Sequence, residues 1–232
     1  DGRYVTSSRT EAHRLASAFV KQSTLDGVGM TEVIKDRLEL RDDTPLAPRQ
    51  IAHAIFALDP LCLVHGVFFA DSAWPGQPKV SRAITGVAEA VSGGGKFGRV
   101  RHSLGEAEGG TAEGYGTVPF HRMEFTAREI EATFVLDLAQ LRAYGLPDGA
   151  RDLLEALALW EVRFLIEGGM RLRTACDLEP VDSSALDDLP GTPELEDRIG
   201  AGIASSGDLM PTKGPIEVIW SGGKAKTPKG PK

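Results

Sequence analysis

Cysteine is scarce in this 232-residue chain: Cys62 and Cys176 each lie inside an apolar run, and they form no C-x-x-C pair. That spacing excludes a zinc ribbon or a dithiol motif and predicts two buried free thiols rather than a disulfide framework. Long apolar runs are missing too. No stretch reaches the ~18 residues a membrane-spanning helix needs, and no charged-then-apolar leader opens the chain, so a soluble, cytoplasmic protein is expected. Catalytic signatures are equally absent. His13, His53, His65, His102 and His121 show no H-E-x-x-H or H-x-x-x-H spacing, no G-x-S-x-G elbow occurs, and "GGGKFG" lacks the Ser or Thr of a phosphate loop. No metal, cofactor or catalytic residue is therefore expected. Aromatics make up only 6% of the chain, yet 41% of it is apolar, enough for a sizeable core.

What is present is a mixture of helical and strand patterns. "RYVTS" reads as a short strand leading into a helix, with Ser8 and Glu11 at capping-box spacing and Ala12, Leu15, Ala16, Phe19 and Val20 on one stripe. The opposite face collects Arg9, His13, Arg14, Ser17 and Lys21, and the N–H groups at Ser7 and Ser8 would attract an anion. A helix is predicted from Pro48 to Leu58, a buried strand in "LCLVHGVFFA", and a helix from Val80 to Val91. "SGGGKFGRVRHSLGEAEGGTAEGYG" is too rich in glycine for a regular element throughout and reads as a long loop or extended hairpin. "IEATFVLDL" alternates as a strand, residues 147–167 form the most secure helix, and "MRLRTACDL" alternates again, with His65 left as a core histidine in its apolar run. A helix from Thr192 to Ile203, a terminal strand "IEVIWS" and a Lys-rich tail close the chain. Strands and helices mix without strict alternation or repeat, so the class is α+β.

Charge is segregated. The net charge is −7, but between Lys79 and Gly105 five cations face Glu89 alone, a balance of +4, whereas Asp177 to Asp208 carries nine acids against Arg198, a balance of −8. Local potential governs contact, so a polyanion site is allowed despite the net charge. Lys96 and Arg99 lie in the Gly-rich loop, His121 and Arg122 follow the rigid "VPF", and Arg171 and Arg173 share one face of a strand, about 7 Å apart at ~3.4 Å per residue. Arginine suits phosphate because its planar fork donates two parallel hydrogen bonds. Phe97, Tyr115 and Phe120 lie among these cations, and aromatic faces stack on unpaired bases. A solvated basic surface explains the same residues without a ligand. The pattern as a whole favours single-stranded nucleic acid.

The blocks "TSSRTEAHRLAS", "HGVFFA", "SGGGKF", "GYGTVPFHRMEFTA", "LDLAQLRAYGL" and "LLEALALWEVRFLIEGGMRLRTACDLE", in this order over about residues 4–180, resemble the backbone subunit of type I-U (also called I-G) CRISPR effector complexes, a member of the RAMP superfamily. The resemblance implies a modified RRM-like, ferredoxin-type palm with inserted finger and thumb segments. It also implies a non-catalytic role gripping the phosphates of a CRISPR guide RNA (crRNA) and offering its bases to target DNA. Other copies of the chain, a large subunit and a fused end-cap and RNA-processing subunit are the implied partners, and no membrane. A further N-terminal region before Thr6, with part of the first palm strand, is implied as well, and the chain opens at Asp1 without Met, so a truncated N-terminus is expected. Residues 1–180 are then the RNA-binding core with an inserted loop at about 92–118, and 181–232 an acidic segment, terminal strand and tail. On this reading Ser7, Ser8, Arg9, His13, Arg14, Lys96, Arg99, His121, Arg122, Arg171 and Arg173 meet the guide. Two rivals stay open: a metal-dependent ribonuclease using His13, His121 and nearby acids, and a structural adaptor whose basic face meets an acidic protein.

Overall fold

A computed structural model of the chain describes residues 3–91, 95–98, 122–125, 127, 129–172, 176–211 and 214–220, without the side chains of 91, 95–98, 122–125, 172 and 176. The chain divides into two compact units, residues 1–85 with 135–232, and residues 86–134.

The first unit opens with hydroxyl chemistry in place of the expected strand and helix. Residues 3–7 form no strand. The Ser7 carbonyl accepts from the Thr10 and Glu11 N–H groups, both at 3.0 Å, the Ser7 N–H donates to Thr10 Oγ1 at 3.2 Å, and Thr6 Oγ1 donates to Glu11 Oε1 at 2.6 Å. Ser and Thr side chains offer the backbone partners other than a helix ladder, and here they win. A 3-10 turn spans Arg14–Ala16, with Arg14 at φ +49°, and α1 (Ala18–Gln22) starts only at Ser17, whose Oγ accepts from the Val20 N–H at 3.2 Å. The predicted long first helix is thus corrected to a turn and one short helix, although Leu15 and Val20 are buried.

β1 (Ser23–Leu25) and β2 (Val28–Gly29) form a hairpin through Asp26 and Gly27, at φ +50° and +83°. Asp-Gly is the sequence preference of a two-residue hairpin turn. β11 (Ile219–Trp220) pairs antiparallel with β1, giving the order β11-β1-β2. α2 (Met30–Arg37) buries Met30 and Ile34, and α3 (Pro48–Leu58) has the predicted bounds, with proline at its start and Ile51, Ala52, Ile55 and Phe56 buried. The predicted strand in "LCLVHGVFFA" is instead α4 (Leu61–His65), then Gly66 at φ +79°, then β3 (Val67–Phe68), which pairs with β4 (Lys79–Val80). A continuous apolar run cannot separate buried helix from buried strand, and glycine in the left-handed region ends the helix here.

The predicted helix at 80–91 is a strand, β5 (Ile84–Val91), paired with β8 (Glu129–Leu136), which matches the alternation read in "IEATFVLDL". α5 (Leu138–Ala143) is capped by Asp137, whose Oδ1 accepts from the Gln140 N–H at 2.8 Å. α6 (Asp148–Glu167) is the long helix expected, and α7 (Thr192–Ser205) packs along it. That approach is close: a Cβ on Gly202 would stand 2.8 Å from Leu153 Cβ and 3.0 Å from its Cα. "MRLRTACDL" is not one strand but two, β9 (Met170–Leu172) and β10 (Cys176–Leu178), antiparallel with Leu172 opposite Cys176 and Arg171 opposite Asp177.

The core of this unit gathers Ile34, Ile55, Phe56, Leu63, Phe69, Trp74, Leu153 and Leu154, and includes Cys62 as a buried free thiol. Burial, followed by the neighbouring Asp59 charge, pushes that thiol far above its ordinary range, so it stays protonated. The fold is α+β, and the largest sheet among the described residues has three strands. None of its described helices is long and apolar enough to cross a membrane.

In the second unit the β5–β8 ribbon is followed by β6 (Gly95–Gly98) and β7 (Arg122–Phe125), antiparallel with Lys96 opposite Glu124 and Gly98 opposite Arg122. These strands flank residues 99–121, which lie outside the described residues. At Gly86 the Phe134 ring fills the space of a side chain, 2.9 Å from where a Cβ would stand.

Candidate nucleic-acid interface

Among the described residues, two clefts of the first unit differ in charge. One is lined by Asp26, Glu32 and Asp36 against Lys35, Arg37 and Arg41. Lys35 pairs with Glu32 at 3.2 Å and Arg41 with Asp36 at 3.7 Å, so its charges largely answer one another. The other, of about 430 Å³, is lined by His13, Arg14, His65, Phe68, Lys79 and Arg82 with small residues between them, and no acid is in its lining. Arg14, Lys79 and Arg82 make no ion pair among the described residues. Of these two clefts, the second has the charge that suits an anion.

Each wall follows from local sequence chemistry. His13 and Arg14 are presented by the hydroxyl-closed turn, and the left-handed backbone at Arg14 redirects the chain before Ser17 caps α1. Opposite, Gly66 lets two backbones close on each other. A Cβ there would meet the Arg82 nitrogen and the Val80 carbonyl oxygen, each at 2.9 Å, and Ala83 N–H donates to the Val64 carbonyl at 2.8 Å. Tyr144 fastens the same wall from behind: its hydroxyl donates to the Leu63 carbonyl at 2.8 Å and shares its proton with the Ser81 carbonyl at 3.3 Å. Burial holds this phenol above its usual pKa, so it remains a donor.

His65 is not the core histidine expected. It ends α4, is part exposed to the cleft, and places Nε2 2.8 Å from Glu161 Oε2. The approach fails hydrogen-bond geometry, leaving Oε2 buried with no aligned donor, so the contact is best described as an ion pair that forms when the imidazole is protonated. Lys21, read with the basic face, is removed from it by an ion pair to Asp71. The Asp71 carboxyl is held below its ordinary value by that ammonium first and the Ala73 N–H second. Ser17 is buried as a cap.

Of the residues predicted to touch a ligand, His13 and Arg14 come together in the cleft. Ser7, Ser8 and Arg9 belong to the preceding turn and do not line it, and no helix start exists there to hold an anion, since the Thr10 and Glu11 N–H groups are used by the Ser7 carbonyl. Arg171 is 77% exposed, lies 3.8 Å from Asp177 on β10, and is not in the lining. Lys96 and Arg122 sit on β6 and β7 of the other unit, and Arg99, His121 and Arg173 lie outside the described residues. Sequence reading missed His65, Phe68, Lys79 and Arg82 as partners of His13, although Lys79 and Arg82 belong to the +4 stretch that signalled them. Among the described residues no group of three or more His, Cys, Asp or Glu gathers to hold a metal ion.

Three cationic side chains and two imidazoles line this open cleft, and such groups suit phosphate, which carries no base sequence. Residues 1–92 match the model of a family described as CRISPR-associated protein GSU0053, so the chain is similar to a CRISPR-associated family over that stretch. Every residue lining the cleft lies inside it. No curated protein matches the chain.

Proposed function

We propose that this chain is a non-catalytic, guide-RNA-binding backbone subunit of a type I CRISPR effector complex, of the I-U/I-G kind its sequence blocks resemble. The observation that carries the reading is that the acid-free cleft of His13, Arg14, His65, Lys79 and Arg82 falls wholly within the stretch similar to a CRISPR-associated family. Guides differ in sequence, so a protein that must hold any of them has to grip phosphate, and cations without a base-reading pattern do that. On this reading the described sheets belong to a modified RRM-like palm. Target DNA is met through the guide, and the protein partners are further copies, a large subunit and a fused end-cap and RNA-processing subunit.

A salt titration tests it. A short labelled single-stranded RNA binds with an affinity that falls steeply as salt rises, and Arg14→Ala or Arg82→Ala each flattens the log–log slope by about 0.7, the share of one phosphate contact on a single strand. Affinity indifferent to salt overturns the reading. Running the same RNA with and without chelator brings in the ribonuclease rival, which chelator-sensitive cleavage would establish in its place.

A further inference from the structure

We infer that Phe68 is a stacking platform for one unpaired base of the bound strand, so that the cleft takes single-stranded rather than duplex nucleic acid. The inference rests on the cleft holding a nucleic-acid backbone, and adds to that reading a residue which fixes the class of strand. Its starting point is a conflict within three consecutive residues. Val67 and Phe69 are 6% and 0% exposed, in keeping with their size and apolarity, whereas Phe68 between them is 49% exposed and lines the cleft. Strand alternation turns Phe68 away from the core, and nothing apolar among the other side chains of the lining approaches it in bulk: Gly66, Ala70 and Ser81 are small, and Val67 and Val80 belong to the strands themselves.

What faces Phe68 is charge. Lys79 lies directly opposite in the β3–β4 register and holds its Nζ 5.8 Å from the ring centroid, near the ~6 Å limit of a cation–π contact. So loose a contact yields readily to a base, which leaves the ammonium free to turn to a phosphate. An aromatic face beside cations is the pairing that binds single strands: cations track the backbone, and the ring takes whichever base arrives, because every base has a π-face. Bases inside a duplex show only their edges in the grooves and cannot use such a ring.

The experiment compares the full chain with Phe68→Leu, which keeps apolar bulk and removes the π-face, and with Phe68→Trp, which enlarges that face. The probes are a short RNA, the same RNA with abasic residues throughout, and its duplex. Phe68→Leu binds the intact single strand about tenfold more weakly, with an unchanged salt slope, while Phe68→Trp binds at least as well as the parent. Parent and Phe68→Leu proteins bind the abasic strand and the duplex alike. Equal affinity of the parent and Phe68→Leu for the intact strand, with the salt slope preserved, overturns the stacking role alone. Absent or salt-independent binding by every variant overturns the phosphate clasp and the stacking role together.

Discussion

At φ +79° Gly66 turns the chain out of α4 into β3, and the space a side chain would need is filled by the backbone of Val80 and Arg82. Alanine at this position suffers both the strain of the left-handed region and a clash that no rotamer relieves, so Gly66→Ala lowers stability by ~1–3 kcal/mol in urea denaturation. On the proposed reading it also weakens RNA binding, since the segment it displaces carries Lys79 and Arg82. Stability unchanged from the parent would show that β4 can move aside. At this scale the sequence was partly legible. The wet residues His13 and Arg14 could be selected by charge and spacing, but His65 and Phe68 could not, because each sits in an apolar run where burial is the default for both. The turn at Gly66 rests on the approach of the Val80 and Arg82 backbone, and a long-range backbone approach leaves no local signal.

Among the elements, β8 alternates although its residues are exposed or half-buried. The helices legible from pattern have a buried face: α3, α6 and α7 repeat apolar residues at helical spacing because one side of each meets the core. β5 was misread as a helix for the opposite reason. Its residues 85–90 are exposed, so the strand has no inner face to impose a period of two, and Val80, Ile84, Val87, Ala88 and Val91 happen to fall at helical intervals. The β9–β10 hairpin was read as one strand because alternation continues through a hairpin as well as along a strand. The Asp26-Gly27 turn, by contrast, carries a plain local signal. Helix packing supplies the prediction at this scale. Gly202→Ala gains helix propensity but drives its methyl against the backbone of Leu153, and α7 has to shift off α6. The net effect is a loss of about 1–3 kcal/mol in denaturant unfolding. A stabilised protein would mean the two helices separate at no cost.

For the whole molecule, the division into units places every member of the hydrophobic core of the first unit outside residues 86–134. Replacing residues 86–134 with a short glycine-rich turn therefore leaves a body that unfolds in one cooperative transition within a few degrees of the parent, by calorimetry. Loss of the transition would assign folding information to the replaced segment. The charge segregation that first admitted a polyanion is a whole-molecule property too: −7 overall conceals a cleft without acids. Net charge alone would have excluded a polyanion that the local potential admits.

Ala83 and Asp137 meet through a 2.8 Å hydrogen bond from the Asp137 N–H to the Ala83 carbonyl, so the chain leaves the first unit and returns to it at one point. With its ends joined there, flexible residues added to the intervening segment cost the first unit only the entropy of closing a longer loop, which grows as the logarithm of its length. Doubling that segment costs about 0.6 kcal/mol. Its length and composition are consequently almost free of the folding requirement, and can follow whatever that segment touches.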